Sequence, residues 1–191
     1  LGTPEQQVIF TSWLDEATGL DTYAPATIPT GGDWGGIVFR NDFDRAAGHF
    51  IAEDEGIFLN IVNQATIQFA GGPVVVDSVQ QLFTPIHMTV ARPTLTFNTL
   101  KKNSNAAISA DPDSFEESLF VDATYMADYR RIGPHVRGNE LGQNGINGLL
   151  VRTTTPSLPG TLVEMTVSGR FDDTDIVHVL TENLLIAGNP G

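Results

Sequence analysis

The chain has 191 residues, 41% of them hydrophobic and 17% charged, with a formal net charge of −13 and no cysteine. That balance excludes a disordered chain, a thiolate metal centre and a cysteine nucleophile, and it disfavours nucleic acid and anionic lipid as partners. No run of about 18 apolar residues occurs, so no membrane-inserted helix is predicted.

Glycine is frequent, at 19 residues, and the apolar residues are mainly aliphatic and β-branched, which favours many short strands joined by turns. Val8-Ile9-Phe10 reads as the first strand. Residues 14–33, rich in Asp, Pro and Gly, read as a long loop. Trp34 to Phe39 returns to strand character, with Gly35 and Gly36 marking close backbone approach. The acidic stretch Arg40 to Gly56 reads as loop. Ile57 to Phe69 holds two strand-like halves, and Gly71-Gly72 turns the chain. Val74–Val76 and Ile86–Val90 are further strands, with Val79 and Leu82 apolar between them. Residues 112–134 interrupt the pattern. Within them DSFEESLFVDATYMADYRR is the one segment with helical character, with Asp113 or Ser114 as cap and Glu116 and Glu117 in the first turn. Strands are expected again near Leu162–Val167 and Ile176–Leu180.

Pro93 to Asp111 and His135 to Val151 match at an offset of forty-one residues. Leu95 falls on Val136, Asn98 on Asn139, Leu100 on Leu141, Asn103 on Asn144 and Ile108 on Leu149. The pattern is one unit written twice. From Ile86 to Ile108 the spacing is only 22 residues, so the longer offset is read as a rung plus the 112–134 insertion. Short strands, unequal loops and recurring turn Asn predict an all-β fold, a right-handed parallel β-helix with long loops and one short helical insertion. Ile37, Ile86, Ile108 and Leu149 are predicted to form one inward column. Asn98 with Asn139, and Asn103 with Asn144, are predicted to form ladders at turns where Asn tolerates left-handed geometry. The other architecture compatible with these strands is a β-sandwich.

The segments GTPEQQVIFTS, GDWGGIVF, ARPTLTFNTLKKNSNAAISADPDSFEES, GNELGQNGINGLLVR and SGRFDDTDIVHVL, in this order, resemble large bacterial extracellular proteins built from right-handed β-helix repeats. The resemblance implies a pectate-lyase-like superfold and a single block, 1–191, of a longer chain. It does not imply lyase activity, because one fold hosts many functions.

The densest carboxylate cluster is Asp172, Asp173 and Asp175. It fits a Ca²⁺ site, an acid/base pair for glycoside hydrolysis, or an acidic turn that bonds backbone. Asp111 and Asp113 are further Ca²⁺ candidates, set against the ordinary preference of a helix start for carboxylates. Asp15, Glu16, Asp21, Asp42 and Asp44 are similar cases in the first two loops. The histidines His49, His87, His135 and His178 lack zinc-ligand spacing. His87 and His178 sit between apolar strand residues and are expected to face outward. Arg130, Arg131, Arg137 and Arg152 are candidates for an anionic sugar, and Trp13, Trp34 and Tyr23 for sugar stacking. No catalytic or cofactor residue stands out; the one cofactor these carboxylates suit is Ca²⁺.

These features lead to the expectation of a structural or adhesive module of a large secreted or cell-surface protein. Its partners would be neighbouring repeats or other copies of itself. The alternative is a carbohydrate-binding or polysaccharide-degrading domain.

Overall fold

The computed structural model describes residues 1–18, 27–76, 78–119, 130–153 and 161–188. The chain makes successive passes through the same three sheets. The first pass supplies β1 (Val8–Phe10), β2 (Ile37–Arg40) and β3 (Ile61–Asn63). The second supplies β4 (Ala65–Gln68), a hairpin of β5 (Pro73–Val76) and β6 (Val79–Leu82), then β7 (Ile86–Thr89) and β8 (Thr94–Thr96). The third supplies β9 (Thr99–Lys101), β10 (Ala106–Ala110), a hairpin of β11 (Glu117–Leu119) and β12 (Arg130–Ile132), then β13 (His135–Arg137). Beyond these lie β14 (Glu140–Gly142), β15 (Ile146–Val151), β16 (Glu164–Met165), β17 (His178–Leu180) and β18 (Leu185–Ile186).

The first sheet has the order β1-β4-β9-β14, the second β2-β7-β10-β15-β17 and the third β3-β8-β13, and all their pairings are parallel. The molecule is therefore all-β with mostly parallel sheets. Among the described residues no helix is long and apolar enough to cross a membrane.

Register explains the core. In the second sheet Ile37, Ile86, Ile108 and Leu149 are paired in line, as predicted. Ile67, Leu100 and Leu141 line up in the first sheet, and Val62, Leu95 and Val136 in the third. These columns meet in one apolar cluster that also takes in Met88, Phe115 and Met165. Each fully buried aliphatic side chain here stabilises the fold by roughly 1.5–3 kcal/mol relative to exposure.

The asparagine ladders exist. The Asn98 N–H and Nδ2 both donate to Asn139 Oδ1, at 3.0 and 2.9 Å. Asn103 does the same to Asn144 Oδ1, at 3.2 and 2.7 Å. One pass earlier Ala65 N–H and Ala70 N–H donate to Asn98 Oδ1 and Asn103 Oδ1. The left-handed residue is the one before each Asn, however: Phe97, Lys102, Gly138 and Gln143 have φ of 55°, 57°, 64° and 58°. The Asn side chain is needed for its paired donor and acceptor, not for backbone tolerance.

Three further expectations are corrected. Residues 112–134 do not contain the predicted helix in their described part. Pro112–Phe115 is a short 3₁₀ turn, and Glu117–Leu119 pairs antiparallel with Arg130–Ile132. Phe115 is drawn into the core, which ends the turn and redirects the chain into the hairpin. Residues 120–129, with Tyr125, Met126 and Tyr129, lie outside the described residues. Arg40 to Gly56 is not loop throughout. It holds α1 (Asn41–Ala46) and a 3₁₀ turn at Ala52–Glu55, with Asp42 and Asp44 in the first turn of α1 and Arg45 in its last. That charge order complements the helix dipole. His178 does not face outward: it stands in register with Leu149, at the end of the inward column, against Phe115 and Phe171.

The glycine pair at 35 and 36 does mark close approach. A Cβ on Gly36 would lie 2.2 Å from the Thr84 carbonyl oxygen, and one on Gly35 2.4 Å from Val74.

Candidate functional site

β13 ends the third sheet, yet its backbone donors are occupied. Asp173 Oδ1 accepts the Val136 N–H at 3.1 Å, and Asp175 Oδ2 accepts the Gly138 N–H at 2.6 Å. One pass earlier the matching Phe97 N–H donates to the Arg137 carbonyl. The carboxylate of Asp175 thus stands where the carbonyl of a further strand would be. Two acidic residues at a spacing of two match alternate donors along one strand edge. Part of the next turn row is closed the same way: the Asn144 N–H and Nδ2 both donate to Asn147 Oδ1, at 3.2 and 2.9 Å. Asn147 repeats within one pass what Asn144 does for Asn103.

A cavity of about 460 Å³ opens beside this cap, lined in part by Arg131, His135, Arg137, Asp172, Asp173 and Asp175. Burial pushes the Asp173 carboxyl up to about 7, with Asp172 and Asp175 adding to the rise. Because the folded state holds this proton more tightly than the unfolded chain, Asp173 contributes most to stability below pH 3.8. That contribution is lost as pH rises through about 7. Asp173→Asn keeps an acceptor for Val136 and removes the buried charge. We expect the variant to be more stable than the parent at pH 8 by about 1–2 kcal/mol after solvent screening, and the gap to close by pH 4. Urea unfolding of both proteins across that range checks it.

The outer face of the second sheet carries a polar row. Arg40 pairs in register with Thr89; Asp111 and Arg152 follow Ala110 and Val151, which are themselves in line. Beside them His87 faces outward, as expected, but it is buried beneath the segment carrying Phe83 and Thr84. The hydrogens can be assigned in sequence. Thr84 Oγ1 donates to the Ile86 carbonyl at 2.6 Å, so it accepts from Ser109 Oγ at 2.6 Å. Ser109 has then given its only proton, and its 2.8 Å contact with His87 Nδ1 must be a donation from the imidazole. Nε2 is left as the acceptor, facing Thr89 at 3.0 Å and Arg152 at 3.4 Å.

Burial lowers the His87 pKa to about 3, with Arg152 adding to the effect. His87 is therefore neutral at pH 7, and its 3.7 Å approach to Asp111 is not an ion pair there. Burial raises the Asp111 carboxyl to about 6 against the opposing pull of Arg152. Ser109, His87 and Asp111 have the composition of a nucleophilic triad without its roles. The serine is 1% exposed and receives a proton from the histidine instead of giving one.

The five Ca²⁺ candidates are not gathered into one site. Asp173 and Asp175 cap a strand edge and Asp111 lies on the second sheet. Asp113 Oδ1 and Oδ2 accept the Thr166 N–H and hydroxyl at 2.7 Å each. Among the described residues no group of three or more His, Asp or Glu side chains is arranged to hold a metal ion. Asp15 is buried under hydrogen bonds from Thr11 and Gln68, and Asp42 is paired with Arg40 at 2.8 Å. His49 is exposed beside Asp44, and His135 and Arg137 are exposed. Trp34 packs against the core and donates to the Gln68 carbonyl; Trp13 is exposed. Asp21 and Tyr23 lie outside the described residues.

That Asp175 bonds backbone is one of the readings its acidic turn allows. That the donor is Gly138, and that Asn147 takes the ladder place beside Asn144, appears only when the passes are set against one another. No family model, no curated protein and no solved structure matches the chain.

Proposed function

We propose that the chain is a block of right-handed parallel β-helix serving as a structural or adhesive module of a large secreted or cell-surface bacterial protein. The observation that carries this reading is the repeated passage through three parallel sheets, with side-chain ladders running from pass to pass. Right-handed winding is the strong rule for a crossover between parallel strands of one sheet. Such a stack is stiff because each pass contributes to the same continuous core.

The two ends differ. Asp173, Asp175 and Asn147 occupy backbone and ladder groups at the C-terminal end. At the other end the edge strand β1 leaves Val8, Ile9 and Phe10 exposed. An apolar edge strand is a template for further strands. β1 is one such edge, and β17, with Leu180 exposed, ends the second sheet as another, so contact with a neighbouring repeat or another copy is open to both ends.

The polar row of Thr89, Asp111 and Arg152 favours a second reading, a polysaccharide-degrading domain in which Asp111 carries the proton. A cleavage screen over neutral and acidic polysaccharides, with and without Ca²⁺, separates the two. The structural reading expects no turnover; turnover lost in Asp111→Asn would overturn it.

A further inference from the structure

Gln7, Gln64, Phe97 and Gly138 hold one position in four successive passes. Each directly precedes a member of the stacked set Val8, Ala65, Asn98 and Asn139. Together with Thr99 and Glu140 they line a groove of about 220 Å³ at the turn between the third and first sheets.

Phe97 is the unexpected residue in this row. Its φ is 55°, in the left-handed region, as are those of Gln64 and Gly138 at 52° and 64°. Glycine takes that conformation freely, whereas for a bulky side chain it is a steric outlier costing on the order of 1–3 kcal/mol. The ring gains little burial in return, since the residue is 51% exposed. Yet the ring is seated: a Cβ on Gly138 would lie 2.7 and 2.8 Å from Phe97 Cδ1 and Cε1. Only glycine in the next pass leaves room for it. The left-handed turn itself recurs, and Phe69 holds it at φ 61° while 7% exposed; what sets Phe97 apart is a ring seated in a recess yet left half-exposed.

We infer that this row is a carbohydrate-binding groove in which Phe97 stacks on the apolar face of a sugar ring. The amides of Gln7 and Gln64, with Thr99 and Glu140, meet its hydroxyl groups. An aromatic platform flanked by a few polar side chains is the chemistry that suits a pyranose, which is apolar on its C–H face and polar at its rim. The chain's charge of −13 and the presence of Glu140 select a neutral polysaccharide over an anionic one. The groove admits one or two rings, so affinity is weak, with Kd on the order of 0.1–1 mM. The site lies away from the polar row of the second sheet and meets the β1 end only at Gln7. Sugar binding there is read separately from strand pairing along β1, so it stands or falls apart from the structural reading.

The test is titration of the full chain with cellohexaose and with mannohexaose to about 10 mM, roughly ten times the weaker expected Kd. The readout is the ring resonances of Phe97 and the side-chain amides of Gln7 and Gln64, compared with Phe97→Asn. Asn accepts the left-handed conformation, so the variant is expected to fold with an unchanged or higher Tm and to bind at least about tenfold more weakly. Saturable shifts confined to the groove in the parent and absent from the variant support the inference. Failure of both sugars to shift these groups overturns it, as does equal binding by the variant. A Tm several degrees lower in Phe97→Asn would make the ring structural and also overturn it. So would self-association without sugar that the substitution abolishes, because the face would then bind protein.

Discussion

Asn98→Ala is expected to destabilise the protein by about 3–5 kcal/mol, read as a lower urea midpoint. Asn98 is 1% exposed, and its side chain makes three kinds of bond at once. Oδ1 accepts the Ala65 N–H at 3.0 Å, while Nδ2 donates to the Val62 carbonyl at 3.0 Å and to Asn139 Oδ1 at 2.9 Å. Alanine strips a buried donor and a buried acceptor of their partners, and each orphaned group costs about 1–3 kcal/mol. Asn98→Asp is the sharper variant: it keeps the acceptor for Ala65, loses both donations, and sets a carboxylate beside the oxygen of Asn139. It should be at least as damaging at pH 7. Asn139 is only half-buried, so Asn139→Ala should cost less. The double variant should cost less than the sum, because the two residues share a bond.

Arg92→Met is expected to cost a similar amount, about 3–5 kcal/mol, for a different reason. Arg92 and Glu53 are each 3% exposed in their side chains and approach to 3.6 Å. The Arg92 N–H donates to both Glu53 carboxylate oxygens at 3.2 and 2.9 Å, and its guanidinium reaches Ser118 at 2.6 Å. The Phe58 ring lies 5.1 Å from the Arg92 guanidinium and 4.7 Å from that of Arg131. The cluster ties the 3₁₀ turn at Ala52–Glu55 and the β11–β12 hairpin to the corner before β8. Removing Arg92 leaves Glu53 as a buried, poorly compensated charge. Burial already raises the Glu53 pKa against the pull of Arg92, so the loss should be smaller near pH 4 than at pH 8. In Arg92→Met with Glu53→Met most of the stability should return, since the apolar pair has no charge to desolvate. Urea midpoints of the parent and the two variants at both pH values check both expectations.

Much of the parallel architecture was readable from the chain because stacking writes itself into sequence. When residues of successive passes lie one above another, their chemistry repeats, and Leu95 over Val136 or Ile108 over Leu149 shows at a fixed offset. The excursions were less readable. Glu117–Leu119 and Arg130–Ile132 fall in a segment of helical composition, but Phe115 has a place in the core and these two flanks pair as strands; in those flanks tertiary packing overrode propensity. Arg40 to Gly56 was obscured in the other direction, since a helix of six residues carries little periodicity. Of the candidate site residues, the Asp172–Asp175 cluster was visible as a cluster. Its action on Val136 and Gly138 was not, because those donors lie some 37 residues earlier in the chain. Phe97 was hidden inside the best-defined repeat, where an aromatic next to Asn98 looks like core until its backbone angle and exposure are known.

Stacked passes in parallel register hold the core together, and methyl-to-methyl NOEs of a selectively labelled sample test this most directly. Ile108 should contact Ile86 on one side and Leu149 on the other, Ile86 should contact Ile37, and Leu100 should contact Ile67 and Leu141. An order that skips a member, or contacts that join these strands antiparallel as in a sandwich, would contradict it.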